Sequence, residues 1–217
     1  MVELDGPRIA PRSGKPATGL VVLLHGYGAD GSDLIALAEL WSRDLPNTAF
    51  VAPNAPEPCE QAPMGRQWFP LTLRDPSEYW RGVTAAAPVL DRFLDRELEA
   101  AGLTERELVL VGFSQGTMMA LHVGFRRPRP LAGLIGYSGR MAGPERFESE
   151  VRTRFPVLLV HGEADDVLPA DLTLQAAATL EAAGVAVRSH IEPALGHGIN
   201  EIGLRLGHEF LRENLPA

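Results

Sequence analysis

Residues 112–116 spell Gly-Phe-Ser-Gln-Gly directly after the apolar run Leu108-Val109-Leu110-Val111. A buried strand should end there and a helix should begin. That placement constrains the chain more than the letters do. A serine hydroxyl is a weak nucleophile unless the backbone presents it on a sharp turn at the end of a sheet. In such a turn, side chains two residues before or after the serine would collide with neighbouring backbone, which suits Gly112 and Gly116. A helix over 115–125 would then aim its amide dipoles at Ser114. The pattern points to a nucleophilic serine. Five residues with two glycines also suit an ordinary strand-to-helix turn, so the context has to decide.

The context is a regular alternation. Short Val- and Leu-rich runs at 19–24, 48–52, 108–111, 131–137, 156–160 and 185–191 predict strands. Amphipathic stretches at 33–45, 171–183 and 199–215 predict helices, the first with Ser32 as its N-cap. Residues 77–101 also read as helix, with Pro88 expected to kink it or to start a second one. Strands and helices in alternation predict an α/β fold with a mostly parallel sheet covered on both faces. The stretch 53–76 reads as one long proline-rich loop carrying Trp68 and Phe69, and a loop that long in a compact domain is usually functional.

An activated serine needs a base, and the base needs an acid to hold its tautomer. His122, His190 and His208 fall inside predicted elements and read as packed or solvated side chains. His25 and His161 end buried strands before a glycine, a position that suits a site or simple packing equally well. His197 stands in Leu195-Gly196-His197-Gly198, a glycine-flanked loop between the last strand and the last helix, and is the candidate base. The acid should come from the loop after the preceding strand, where Glu163, Asp165 and Asp166 crowd together. A carboxylate there gives the chain order serine, acid, histidine, which is that of the α/β-hydrolases. The oxyanion would be held by the backbone N–H groups of Gln115 and Tyr27, the latter in the loop after the strand at 19–24.

That same loop, Gly26 to Gly31, also spells G-x-G-x-x-G after a strand and before a helix, as in a dinucleotide-binding fold. The fingerprint expects an acid closing the second strand, and this strand runs out in Val51-Ala52-Pro53-Asn54. A cofactor reading also leaves Ser114 and His197 without a purpose.

Taken together, Leu24-His25-Gly26-Tyr27-Gly28, Gly112-Phe113-Ser114-Gln115-Gly116, His161-Gly162-x-x-Asp165-x-Val167-Leu168-Pro169 and Gly196-His197 resemble the phospholipase/carboxylesterase family. Pro53-Asn54-Ala55-Pro56 and Gly65-Arg66-Gln67-Trp68-Phe69 look like its bacterial carboxylesterase branch. The resemblance spans about residues 18–215. It implies an α/β-hydrolase fold that cleaves carboxylic esters, of short to medium acyl chains, or thioesters and lysophospholipids. It implies no metal and no organic cofactor, and it supports Ser114, Asp165 and His197 as catalytic residues. Asp165 is preferred over its neighbours because it occupies the acid's place in the His-Gly-x-x-Asp pattern. Trp68 and Phe69 are candidates for the substrate-binding wall, with anchoring of the loop on the core as the competing role. A hydrolase fold kept as a binding module with a silent triad is the alternative from another class.

Composition sets the outer bounds. A chain of 217 residues suits one domain over 1–217. A net charge of −8 argues against nucleic acid or an anionic membrane surface as partner. No apolar run approaches the roughly 18 residues of a membrane span. One cysteine, Cys59, permits no internal disulfide, and the polar N-terminal stretch has no apolar signal segment, so a cytoplasmic enzyme is expected. A homodimer is compatible with this reading.

Overall fold

The computed structural model describes residues 3–59, 61–72, 75 and 77–216. Seven strands form one sheet in the order β1-β3-β2-β6-β7-β8-β9. They are β1 (Arg8–Ile9), β2 (Gly19–Leu24), β3 (Thr48–Val51), β6 (Leu108–Phe113), β7 (Gly133–Tyr137), β8 (Val157–Gly162) and β9 (Val187–Glu192). Only β1 runs antiparallel to its neighbour. A small antiparallel pair, β4 (Glu57–Cys59) and β5 (Ala62–Gln67), stands apart. The helices are α1 (Gly31–Trp41), α2 (Glu78–Ala101), α3 (Gln115–Gly124), the one-turn α4 (Phe147–Glu150), α5 (Asp171–Ala182) and α6 (Glu201–Asn214).

The near-continuous apolar character of the central strands has a simple cause, since both faces are covered. Leu20, Val22, Leu24, Leu108 and Leu110 face one core with residues of α2, α3 and α5. Val21, Leu23, Val109 and Val111 face the other, with residues of α1 and α6. Burying each such side chain contributes about 1.5–3 kcal/mol. Two layers of helix around a parallel sheet is the architecture expected from the alternation.

Strand order decides where a site can sit. The chain runs from β2 outward to β3 and later returns to the other side of β2 to lay down β6. At that reversal the loops leaving the C-terminal ends of β2 and β6 part in opposite directions and open a crevice. The Tyr27 loop and the Ser114 turn are those two loops.

Three expectations need correction. Residue 53–76 is no single irregular loop, because β4 and β5 occupy part of it; residues 60, 73, 74 and 76 lie outside the described residues. The N-cap of α1 is Asp30, not Ser32: extended at Asp30, the chain lets its carboxylate accept the Ser32 N–H at 2.7 Å. Pro88 neither ends nor divides α2, which runs unbroken through it. Pro88 and Thr84, whose carbonyl loses its partner, are both exposed, so water can satisfy that oxygen.

α3 carries a buried histidine that the sequence gives no reason to notice. His122 sits edge-on to the Trp80 ring at 5.2 Å. Burial, helped by the Arg126 charge, pushes its pKa down to about 3. The native protein therefore keeps His122 neutral, while an unfolded chain protonates it below its ordinary value near 6.5. Its contribution is fully present above that value and is lost as pH falls toward about 3. Between those limits this one group should cost up to about 1.4 kcal/mol per pH unit. Urea unfolding at pH 8 and pH 5 should show a smaller loss of stability on acidification for His122→Phe than for the parent; equal losses would refute the assignment.

Candidate active site

Ser114 links β6 to α3 with φ 53° and ψ −115°, a left-handed conformation that costs a non-glycine residue on the order of 1–3 kcal/mol. Two flanking contacts hold it there. Its N–H donates to the Tyr137 carbonyl of β7 at 2.9 Å, and its own carbonyl accepts the Thr117 N–H at 3.0 Å. The glycines are steric necessities. A Cβ on Gly116 would lie 1.8 Å from the Leu24 carbonyl oxygen, and one on Gly112 would lie 2.5 Å from the Thr117 backbone. The turn can thus form only with α3 pressed against the end of β2.

Ser114 and His197 line one cavity of about 280 Å³. Tyr27 and Gln115 also border it, and Leu71, Tyr79, Met118 and Leu168 supply much of the apolar wall. The Gln115 N–H is the first amide of α3, a position that lacks an intrahelical acceptor and lies at the positive end of the helix.

The carboxylate cluster resolves by burial. Glu163 and Asp166 are exposed, whereas Asp165 turns inward. His197 Nδ1 lies 2.7 Å from Asp165 Oδ2. Asp165 Oδ1 accepts the N–H groups of Val167 and Leu168, each at 2.9 Å. Burial alone would raise the pKa of Asp165, but the Leu168 amide, His197 and the Val167 amide outweigh it and hold it below the usual range. The acid and base loops are tied together: the Ala164 N–H donates to Leu195 and the Glu163 N–H to Glu192, both at 2.9 Å. Ser138 Oγ donates to the Gly198 carbonyl at 3.3 Å, and Asn200 caps α6 through the Gly203 N–H at 2.9 Å.

The loop after β2 is shaped by a network that no linear motif announces. The Ala55 N–H donates to His25 Nε2 at 3.0 Å, so the ring proton sits on Nδ1, which donates to the Gly26 carbonyl at 2.7 Å. Burial, opposed by that hydrogen bond, lowers the pKa of His25 and keeps the ring neutral. The strand β5 pairs with the same loop, Gly28 N–H to Arg66 carbonyl at 2.9 Å and Arg66 N–H to Ala29 carbonyl at 2.8 Å. The Arg66 guanidinium then bonds the Ala55 and Pro56 carbonyls, each at 2.8 Å. The glycine pattern of this loop does not leave a phosphate site. The Gly31 and Ser32 amides that a pyrophosphate would use are already bonded to Asn54 Oδ1 and to the Asp30 carboxylate. Among the described residues, no group of three or more His, Cys, Asp or Glu side chains is arranged to hold a metal ion.

A family model for phospholipase/carboxylesterase matches residues 5–215. The chain belongs to the phospholipase/carboxylesterase family. The solved structure of esterase PE8 is 46% identical, covers 99% of this chain and 100% of its own, and superposes with a TM-score of 0.96. Esterase YpfH of Escherichia coli is 29% identical over 205 residues, 93% of this chain and 85% of that protein. Acyl-protein thioesterase 1 of Schizosaccharomyces pombe is 30% identical over 164 residues, 72% of each chain. The fold of this phospholipase/carboxylesterase chain is the α/β-hydrolase fold.

Trp68 and Phe69, candidates for the substrate wall or for anchoring the loop, lie in the core. Both are almost fully buried, and neither lines the Ser114 cavity. The Trp68 indole N–H donates to the His25 carbonyl at 3.0 Å, and its backbone N–H to Gln115 Oε1 at 2.9 Å. Gln115 Nε2 donates to the Phe69 carbonyl at 2.8 Å. The pair lies beneath the oxyanion loop because its aromatic area is buried against α2, with Val83 and Ala86 in the same core. The cavity wall instead uses Leu71, Tyr79 and Met118, which no sequence signal singles out.

Phe69→Ala should therefore cost about 3–5 kcal/mol, or roughly 6–20 °C in Tm for a chain of this size. Its ratio of rates on p-nitrophenyl acetate and octanoate should stay within about twofold of the parent. A changed ratio at unchanged Tm would return Phe69 to the acyl wall.

Proposed function

We propose that this chain is a serine esterase in which Ser114 is the nucleophile, His197 the general base and acid, and Asp165 the residue that orients His197. The reaction class follows from the family: its relatives are esterases and thioesterases, and the chain is a carboxylic ester hydrolase. What carries the assignment of roles is one observation. Ser114, on its strained turn, faces the same small cavity as His197, whose Nδ1 is bonded to a buried carboxylate at 2.7 Å.

The chemistry is acyl transfer in two halves. His197 Nε2 takes the Ser114 proton as Oγ attacks the ester carbonyl, and the Tyr27 and Gln115 N–H groups receive the oxyanion. His197 then gives that proton to the leaving alcohol, and Ser114 keeps the acyl group. Water enters, loses a proton to His197, and attacks the acyl carbonyl; collapse releases the acid and returns the proton to Ser114. Asp165 stays ionised throughout and offsets the imidazolium charge. The limited apolar cavity of about 280 Å³ favours short to medium acyl chains. Thioesters are the second reading, favoured by the relatives named acyl-protein thioesterase 1.

The proposal treats residues 1–217 as one α/β-hydrolase domain, supported by a single sheet that runs from β1 to β9. It places the enzyme in the cytoplasm on its single cysteine, and among the described residues no helix is long and apolar enough to cross a membrane. A homodimer is compatible with the proposal.

Ser114→Ala and His197→Ala should each lower kcat on a p-nitrophenyl ester by about 10⁴-fold or more, with the double variant little worse. Fluorophosphonate should label the parent and not Ser114→Ala; an unlabelled parent would favour a silent binding module. Asp165→Asn should cost about 10³–10⁴-fold in kcat by leaving the imidazole in the wrong tautomer. The exposed Asp166→Asn should cost less than about tenfold. The reverse order would move the acid to Asp166.

A further inference from the structure

His161 has no part in the scheme above, yet it is fully buried and lies against the same carboxylate oxygen as His197. Its Nε2 lies 2.9 Å from Asp165 Oδ2, and His197 Nδ1 lies 2.7 Å from that atom. The neighbouring contacts fix its proton. Nε2 is also 2.9 Å from the Leu168 carbonyl oxygen, which can only accept, so Nε2 carries hydrogen. Nδ1 lies 2.7 Å from Thr173 Oγ1 of α5, closer than the 3.1 Å between that hydroxyl and the Gly139 carbonyl. The Thr173 hydroxyl donates to that carbonyl, which can only accept, and the His161 Nε2–H donates to the Leu168 carbonyl with Asp165 Oδ2 at the same distance.

We propose that His161 is a positioning residue of the reaction: bonded to the Leu168 carbonyl, with its Nε2 against Asp165 Oδ2, it holds the Asp165 turn so that the carboxylate presents Oδ2 to His197. This rests on the serine-esterase reading above. With His161 in place, Oδ1 receives two backbone amides, and Oδ2 lies 2.7 Å from His197 Nδ1 and 2.9 Å from His161 Nε2. A carboxylate so held cannot rotate away when His197 becomes cationic. The side chain reaches this place because β8 alternates: Val157 and Leu159 face the α5 side of the sheet, and His161 follows them by two.

The test compares His161→Leu, which removes the donor, with His161→Gln, which keeps an N–H at similar reach. His161→Leu should lower kcat on the order of 10–100-fold, the scale of one hydrogen bond to a charged group, with KM within about threefold. The acid limb of its kcat/KM profile should move toward neutral pH, because Asp165 without the polar Nε2–H edge beside Oδ2 is easier to protonate. His161→Gln should recover most of kcat and the parent pH limb. Parent-like kcat in a folded His161→Leu protein, or a His161→Gln variant as impaired as His161→Leu, would overturn the proposal. If His161→Leu fails to fold, Thr173→Val serves in its place and should lower kcat several-fold while shifting the same limb. Loss of the esterase reading itself would appear separately, as parent activity that survives Ser114→Ala.

Discussion

Leu24 pairs with Gly112 across β2 and β6, and this register places the Gly116 backbone directly on the Leu24 carbonyl. Everything at the site depends on that approach. It puts the loop after β2 beside the turn after β6, so Tyr27 and Ser114 reach one cavity from neighbouring strands and not from distant segments. It also forces the chain into α3 at once, which leaves Ser114 no conformation but the strained one. From the other side β7 completes the clamp, since the Tyr137 carbonyl accepts both the Ser114 N–H and the Thr117 hydroxyl, each at 2.9 Å. Strain of a kilocalorie or more survives there because the sheet on both sides over-determines the turn.

Around this clamp the protein builds a second ring of buried polar contacts, and the members are satisfied by geometry rather than by charge. His25 is neutral and bonded at both nitrogens, Gln115 spends both ends of its amide on the Trp68 and Phe69 backbone, and Trp68 returns a bond to His25. Gln115 thus contributes twice: it lines the cavity, while its side chain fastens the aromatic segment below. Arg66 joins the β4–β5 pair to the loop after β2. In a low-dielectric interior an unmade hydrogen bond costs about 1–3 kcal/mol, so such a network admits few alternative arrangements. The network therefore holds the loop after β2 in one arrangement.

Much of this was legible in the linear order of residues. Strand–helix alternation follows from burial on one or two faces, a local property that repeats with fixed period, so the sheet and most helices were readable directly. Ser114 was readable because a strained turn demands glycine on both sides, and His197 because a loop that brings a ring over the sheet edge demands the same. Asp165 could be chosen among three neighbouring carboxylates only through a family pattern. Its burial, against the exposure of Glu163 and Asp166, is a property of how two loops meet.

The sequence by itself determined the sheet, the helical layers and the residue types able to perform acyl transfer, because periodicity and backbone sterics act over a few residues. Only the tertiary structure decided which side chains surround that chemistry. Trp68 and Phe69 are large and apolar, and nothing local tells whether such a residue fills a core or faces a cavity; packing against α2 decides for the core. Met118, Leu71 and Tyr79 reach the cavity from separate elements, and His161 meets Asp165 and Thr173 across a strand, a turn and a helix. Those contacts join residues whose separation along the chain carries no information about their separation in space.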